Sequence, residues 1–212
     1  RWSDKELGNI GPDEFITLAE ETGQIVPLGK WVLNSALKQL SIWHREFDSE
    51  LMMSINISSI QMHATFAEQL SAMLNFYNIN PQSIALEITE SSMIFKHGEV
   101  RQALNDISKL GVELHLDDFG TGYSSLSMLH DLPISTVKLD KSFVHGSHKG
   151  SKAIVRAAHA ICDKLGLKVV AEGVETEQQK AFLIDCGYRY LQGFLFSRPI
   201  PSNEVESRFL SA

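Results

Sequence analysis

At 212 residues, with 43% apolar and 21% charged side chains, the chain can bury one sizeable core and has the composition of an ordinary globular domain. A net charge of −7 argues against non-specific binding to DNA or RNA, and no run of about 18 apolar residues marks a membrane span or a signal peptide. Two cysteines, Cys162 and Cys186, lack disulfide or metal-ligand spacing and read as small core hydrophobes of a protein in the reducing cytoplasm.

Pro12 suits the first turn of a helix running to about residue 22, which Gly23 ends. Trp31, Leu37, Leu40 and Trp43 then fall at three- and four-residue steps of a second helix. Trp2, Trp31 and Trp43 are expected to pack against the core or against helix surfaces. From there six short, apolar, β-rich runs follow at 51–57, 83–88, 112–116, 134–139, 167–171 and 188–191. Helical patterns lie between most of them, as at Ala103, Leu104, Ile107 and Leu110. Gly111 and Gly166 stand where a left-handed residue closes a helix, and each leads into a strand. A shorter helix is expected over 123–129, ended before Pro133. No linker interrupts the pattern, so residues 1–212 read as one domain.

Strand alternating with helix, with nearly continuous apolar strands, predicts a parallel sheet covered by helices. An open doubly wound sheet competes with a closed, TIM-like (β/α)8 barrel. The polar residues decide. Asn56, Glu87, Asp117, Lys138, Glu172 and Gln192 each sit at or just past the C-terminal end of an expected strand. A barrel gathers all such ends around one mouth, whereas an open sheet gathers only those beside its switch point. A barrel is therefore expected, and with six strands in hand its first two are expected upstream of Arg1.

The densest chemical signal is Asp117-Asp118-Phe119-Gly120-Thr121-Gly122. Adjacent aspartates repel unless a cation neutralises them, although Asp-Asp-Xaa-Gly also describes a surface turn. Glu87-Ile88-Thr89-Glu90 adds two carboxylates, the first inside an apolar strand. Asn56 offers an amide oxygen, or else a helix-capping group. Glu172, in Ala171-Glu172-Gly173-Val174-Glu175, repeats the acidic strand end. Oxygen donors without clustered His or Cys select Mg2+ or Mn2+ over zinc or copper. Lys138, the one cation expected at the mouth, would be held charged among these acids, ready to orient a water or stabilise a phosphorane-like transition state. His115, a possible inner-strand residue, is expected to pack in the core or make a hydrogen bond and not to ligate a metal.

In order, the chain shows Phe15-Ile16-Thr17-Leu18-Ala19-Glu20-Glu21-Thr22-Gly23, Asn56-Ile57-Ser58, Glu87-Ile88-Thr89-Glu90-Ser91, Asp117-Asp118-Phe119-Gly120-Thr121-Gly122, Lys138-Leu139-Asp140, Ala171-Glu172-Gly173-Val174-Glu175-Thr176 and Gln192-Gly193-Phe194-Leu195-Phe196. This ordered set, spread over essentially the whole chain, resembles the EAL domain family. The resemblance implies a (β/α)8 barrel that hydrolyses cyclic di-GMP to linear pGpG with two divalent cations, Mg2+ or Mn2+. Position by position, it implies Asn56, Glu87 and Asp117 as ligands of one metal, with Asp117 bridging to a second held with Asp118. Glu172 would position water and the metal shell, and Lys138 would contact the attacking water or the phosphate. Arg1 and Gln192 would meet the substrate. Glu90 would hold the loop bearing Phe119, Gly120, Thr121 and Gly122, which in the family couples metal binding to the dimer contact. A homodimer and an upstream sensor or cyclase domain are expected, with any membrane tether lying outside these residues. The Glu-Ala-Leu signature would end just before Arg1, its Glu four places upstream, so the 212 residues made alone are expected to be inactive. The alternatives are a catalytically silent cyclic di-GMP receptor and a metal-dependent barrel acting on another phosphate ester.

Overall fold

The computed structural model describes residues 2–6, 8–48, 50–90, 98–122, 126–146 and 150–211. All six expected strands form: β3 (Met53–Asn56), β4 (Ile84–Thr89), β5 (Glu113–Phe119), β6 (Thr136–Leu139), β7 (Lys168–Ala171) and β8 (Tyr190–Leu191). Each pairs in parallel with the next, so the sheet runs in chain order with no reordering. That sequential parallel order belongs to a (β/α)8, TIM-like barrel and not to a doubly wound sheet. Among the described residues β3 and β8 are the sheet's two edges.

One element was absent from the expectation. An antiparallel hairpin, β1 (Trp2–Asp4) with β2 (Gly8–Ile10), precedes the first helix. Its strands are three residues each and carry no apolar alternation, so nothing in the local pattern marks them.

The helices follow the sequence closely. Pro12 opens α1 (Pro12–Glu21), and Gly23 follows it at φ 74°. Helix α2 (Ile25–Glu46) buries Leu33, Leu37 and Leu40 against α3 (Phe66–Tyr77), which contributes Leu70 and Leu74. Then come α4 (Glu99–Lys109), α5 (Leu126–Asp131), α6 (Lys141–Val144), α7 (Ser151–Leu165), α8 (Glu177–Asp185) and α9 (Ser202–Val205). Gly166 closes α7 in the left-handed region at φ 70°, where a Cβ would be strained. Thr176 and Gln179 form a reciprocal capping box that starts α8. Of the short helix expected over 123–129, residues 123–125 lie outside the described residues, and α5 begins at Leu126.

Strands β4 and β6 are buried on both faces, as parallel strands between a barrel interior and a helical layer must be. Cys162 is fully buried and its burial pushes the thiol up to about 11, the behaviour of an inert core residue. The tryptophans divide. Trp43 packs partly on the core and donates its indole N–H to Glu206 at 2.9 Å, and Trp2 meets the Phe15 ring edge-on at 6.0 Å. Trp31 is 66% exposed, which corrects the expectation of packing: its helical spacing matches Leu37 and Leu40, but its own position turns away from the core.

Candidate active site

The mouth is assembled from strand ends. Glu87 of β4 stands in register with Asn56 of β3, and the Ile57 N–H donates to the Glu87 carbonyl at 2.9 Å. A carboxylate between Leu86 and Ile88, both fully buried, needs a counter-charge. Lys138 of β6 supplies it. Its ammonium lies 2.7 Å from Glu87, 2.8 Å from Glu172 and 3.0 Å from Asp117, with only 5% of the side chain exposed. Burial alone would lower the Lys138 pKa, but the hydrogen bonds and charges of Glu172 and then Glu87 outweigh it and hold the ammonium charged.

The two aspartates are not a surface turn. Strand β5 runs through both of them to Phe119, with a register shift against β6 between Leu116 and Phe119. Asp118 sits in that bulge at φ 55°, a left-handed conformation that Asp tolerates better than most residues. The bulge places consecutive aspartates toward one point, where a regular strand would send them to opposite faces. Carboxylate oxygens of Asp117, Asp118 and Glu172 all lie within 4.8 Å of one another.

Four carboxylates thus face one ammonium, and the electrostatics record the imbalance. Burial first, then the charges of Asp117 and Asp140, raise the Asp118 pKa. Burial likewise raises that of Glu172, with Asp117 and Glu87 adding to it and Lys138 opposing. A folded-state pKa above the unfolded value means that stability is fully present below the ordinary carboxylate range and is lost as pH rises through the raised pKa. Asp118→Asn, which keeps the left-handed backbone, is therefore expected to raise the melting temperature of metal-free protein at neutral pH but not near pH 3. Thermal melts in chelator at both pH values check this.

The segment after the bulge is pinned from below. Glu90, 1% exposed, accepts the Gly120 N–H at 3.0 Å through Oε2. A Cβ on Gly122 would lie 2.6 Å from Glu90 Oε1, and one on Gly120, at φ 95°, would lie 2.8 Å from the Phe143 ring. Thr121 closes the turn through its hydroxyl to the Asp118 carbonyl at 2.9 Å. At the end of α6, His145 bonds the Gly173 carbonyl at 2.7 Å and braces the loop that carries Glu172.

The structure brings Glu87, Asp117, Asp118, Lys138 and Glu172 together. Asn56 lies beside Glu87 and lines with it a cavity of about 540 Å³ running along α1. Gln192 follows β8 and lines a different cavity, of about 640 Å³, with Tyr190, Phe194 and Arg198. Arg1 lies outside the described residues. Of the two roles expected for His115, core packing or a hydrogen bond, it makes a hydrogen bond, to Glu113 at 3.0 Å. Asp140, given no role by sequence reasoning, is buried, caps α6 by accepting the Ser142 N–H at 3.0 Å, and adds its charge to the field on Asp118. Its only local signal was an Asp directly before a helix.

A family model described as EAL domain matches residues 1–199. The chain belongs to the EAL domain family. It is 42% identical over 209 residues to the cyclic di-GMP phosphodiesterase PdeR of Escherichia coli (strain K12), covering 97% of this chain and 32% of that protein. Among solved structures it resembles the PaMucR phosphodiesterase in complex with c-di-GMP, with TM-score 0.91 and 39% identity over 97% of this chain and 84% of that one. It also resembles the manganese and cyclic di-GMP complex of Klebsiella pneumoniae BlrP1, with TM-score 0.74 and 31% identity over 82% of this chain and 45% of that one. The EAL chain spans 25% to 32% of the length of the first curated relatives it matches.

Proposed function

We propose that this EAL domain, read as one unit over residues 1–212, hydrolyses cyclic di-GMP to linear pGpG with the help of divalent cations. The observation that carries the reading is the convergence of Asp117, Asp118 and Glu172 within 4.8 Å beside a single buried ammonium. Relatives named as cyclic di-GMP phosphodiesterases, and a neighbour solved with c-di-GMP, supply the substrate class.

The residues present fit a cation site. Clustered hard oxygens with raised carboxyl pKa values and one counter-ion leave unbalanced negative charge, and such a donor set favours Mg2+ or Mn2+. A neighbour bound to manganese agrees. Asn56, Glu87, Asp117, Asp118 and Glu172 would hold the two ions. Such ions lower the pKa of a water nucleophile and spread the charge of an in-line phosphate displacement.

The chain's own residues do the rest. Lys138, fixed by three carboxylates, keeps a positive charge aimed at the reacting phosphate and orients the attacking water. Glu172 takes part in holding that water. Arg1 and Gln192 bind the substrate. Glu90 holds Phe119, Gly120, Thr121 and Gly122, so that movement at the aspartates passes to a homodimer contact. Sensor or cyclase domains elsewhere in the protein would use that contact for regulation, and no helix among the described residues is long and apolar enough to cross a membrane.

The test is pGpG formation from cyclic di-GMP by the intact protein with Mg2+ or Mn2+, and its loss in chelator. Tight binding of cyclic di-GMP without turnover under any divalent cation would make the domain a receptor and overturn the proposal.

A further inference from the structure

Resting on the metal reading above, we infer that Glu20 of α1 is a positioning residue that sets the orientation of Asn56. The Ala19-Glu20-Glu21-Thr22-Gly23 run ends a helix outside the sheet and has no part in the chemistry described so far. Yet Glu20 Oε1 accepts the hydroxyl of Ser58 at 2.6 Å, across 38 positions of sequence. Ser58 stands two residues after Asn56, where the chain leaves β3.

That exit point is exposed to slippage. Strand β3 pairs only with β4 among the described residues, so the ladder holds Asn56 from one side. The last ladder bond is Ile57 N–H to the Glu87 carbonyl at 2.9 Å. Beyond it Ser58 carries a compact set of bonds. Its N–H donates to Gln61 Oε1 at 3.2 Å, and its hydroxyl oxygen accepts the Ile60 N–H at 3.3 Å while its proton goes to Glu20. Gln61 is buried against Gly29 of α2, where a Cβ would collide with its amide. A neutral serine alone could cap this turn. The carboxylate adds a charge-assisted bond, shorter and about twice as strong as a neutral one, and ties the turn to a separate helix.

Glu20 and Asn56 line the same cavity as Glu87. Releasing Ser58 would let the backbone of residues 56–58 rotate, and the Asn56 amide would leave the side on which Glu87 lies. The effect on a cation is the one expected of a group that orients a ligand without touching the metal, a loss of roughly 10- to 100-fold in affinity. Glu21, chemically identical and adjacent, is exposed and serves as the matched control.

The experiment measures Mn2+ binding by electron paramagnetic resonance and calorimetry in the intact protein, alongside thermal melting. Glu20→Ala and Ser58→Ala should each weaken Mn2+ binding about 10-fold, and the double variant should be no worse than either single one. Glu20→Gln keeps an oxygen facing the Ser58 hydroxyl and should recover most of the affinity, whereas Glu21→Ala should change nothing. Should Glu20→Ala melt too low to assay, Ser58→Ala removes the same bond from the loop side. Wild-type Mn2+ affinity in Glu20→Ala, where Glu87→Gln has lost it, overturns the inference and leaves the metal reading standing. Additive losses, or Glu20→Gln no better than Glu20→Ala, also overturn it. Wild-type Mn2+ affinity in Glu87→Gln strikes at the metal reading, and the inference falls with it.

Discussion

Glu87→Gln or Asp117→Asn in the intact protein is expected to remove cation-dependent turnover of cyclic di-GMP by on the order of 1000-fold, about 4 kcal/mol of transition-state stabilisation. The melting temperature of metal-free protein should move by only a few degrees. The two expectations come from the same geometry. Each residue offers a hard oxygen at the point where cations would sit, so an amide there weakens the hold on the ion. In the metal-free state each is one of three carboxylates within 3.0 Å of the Lys138 ammonium, and removing one leaves two to balance it. Loss of an ion-pair partner is offset by relief of repulsion among the remaining acids. Asparagine at 117 also keeps an oxygen for the Asp118 N–H, bonded at 3.1 Å in the native bulge. Steady-state kinetics at saturating Mn2+ with melts in chelator separate the effects. Near wild-type rates at saturating metal would falsify the ligand assignment.

Much of this site could be read from the sequence because parallel strands make polar residues conspicuous. Glu87 and Lys138 each interrupt an apolar run, and a charge inside such a strand must find a partner or a cation. The fold then brings strand ends together, so residues far apart in sequence converge without any local signal of contact. What escaped was set by partners the local pattern does not contain. Asp118 was marked as a ligand, but its left-handed bulge was not, because a bulge depends on the register with β6, which the strand's own residues do not encode. Glu20 could not be told from Glu21 until Ser58 was placed beside it. Trp31 shares the helical period of Leu37 and Leu40, yet the periodicity of a helix gives a stripe and not its edges, and Trp31 falls outside. The β1–β2 hairpin, with three residues per strand, is too short to show a period at all.

Lys138→Met should be the single change at the mouth most damaging to the fold, and it should lower the rate as well. The ammonium is the one positive group within ion-pair distance of Glu87, Asp117 and Glu172 among the described residues, and Met fills a similar volume without it. Removing one partner of a buried ion pair costs about 3–5 kcal/mol, because the other charge stays buried and unpaired. At about 2–4 °C per kcal/mol for a chain of this size, the metal-free melting temperature should fall by roughly 10 °C. The pH dependence fixes the cause. Lys138 has a raised folded-state pKa, so it stays charged at every pH below its ordinary 10.5, and any change in the gap across the acid range comes from its carboxylate partners. In the variant the carboxylates must protonate to remain buried, so the gap from wild type should be small near pH 4 and widest at pH 7 to 8. Saturating Mn2+ should close most of that gap, since cations can replace the missing charge. Turnover should not return with it. A cation aimed at developing phosphate charge acts in the transition state, and its loss should lower kcat on the order of 100-fold with little change in KM. A normal kcat with a raised KM would make Lys138 a ground-state anchor for the phosphate. A metal-free melt equal to wild type at neutral pH would mean that the acidic cluster does not depend on it at all.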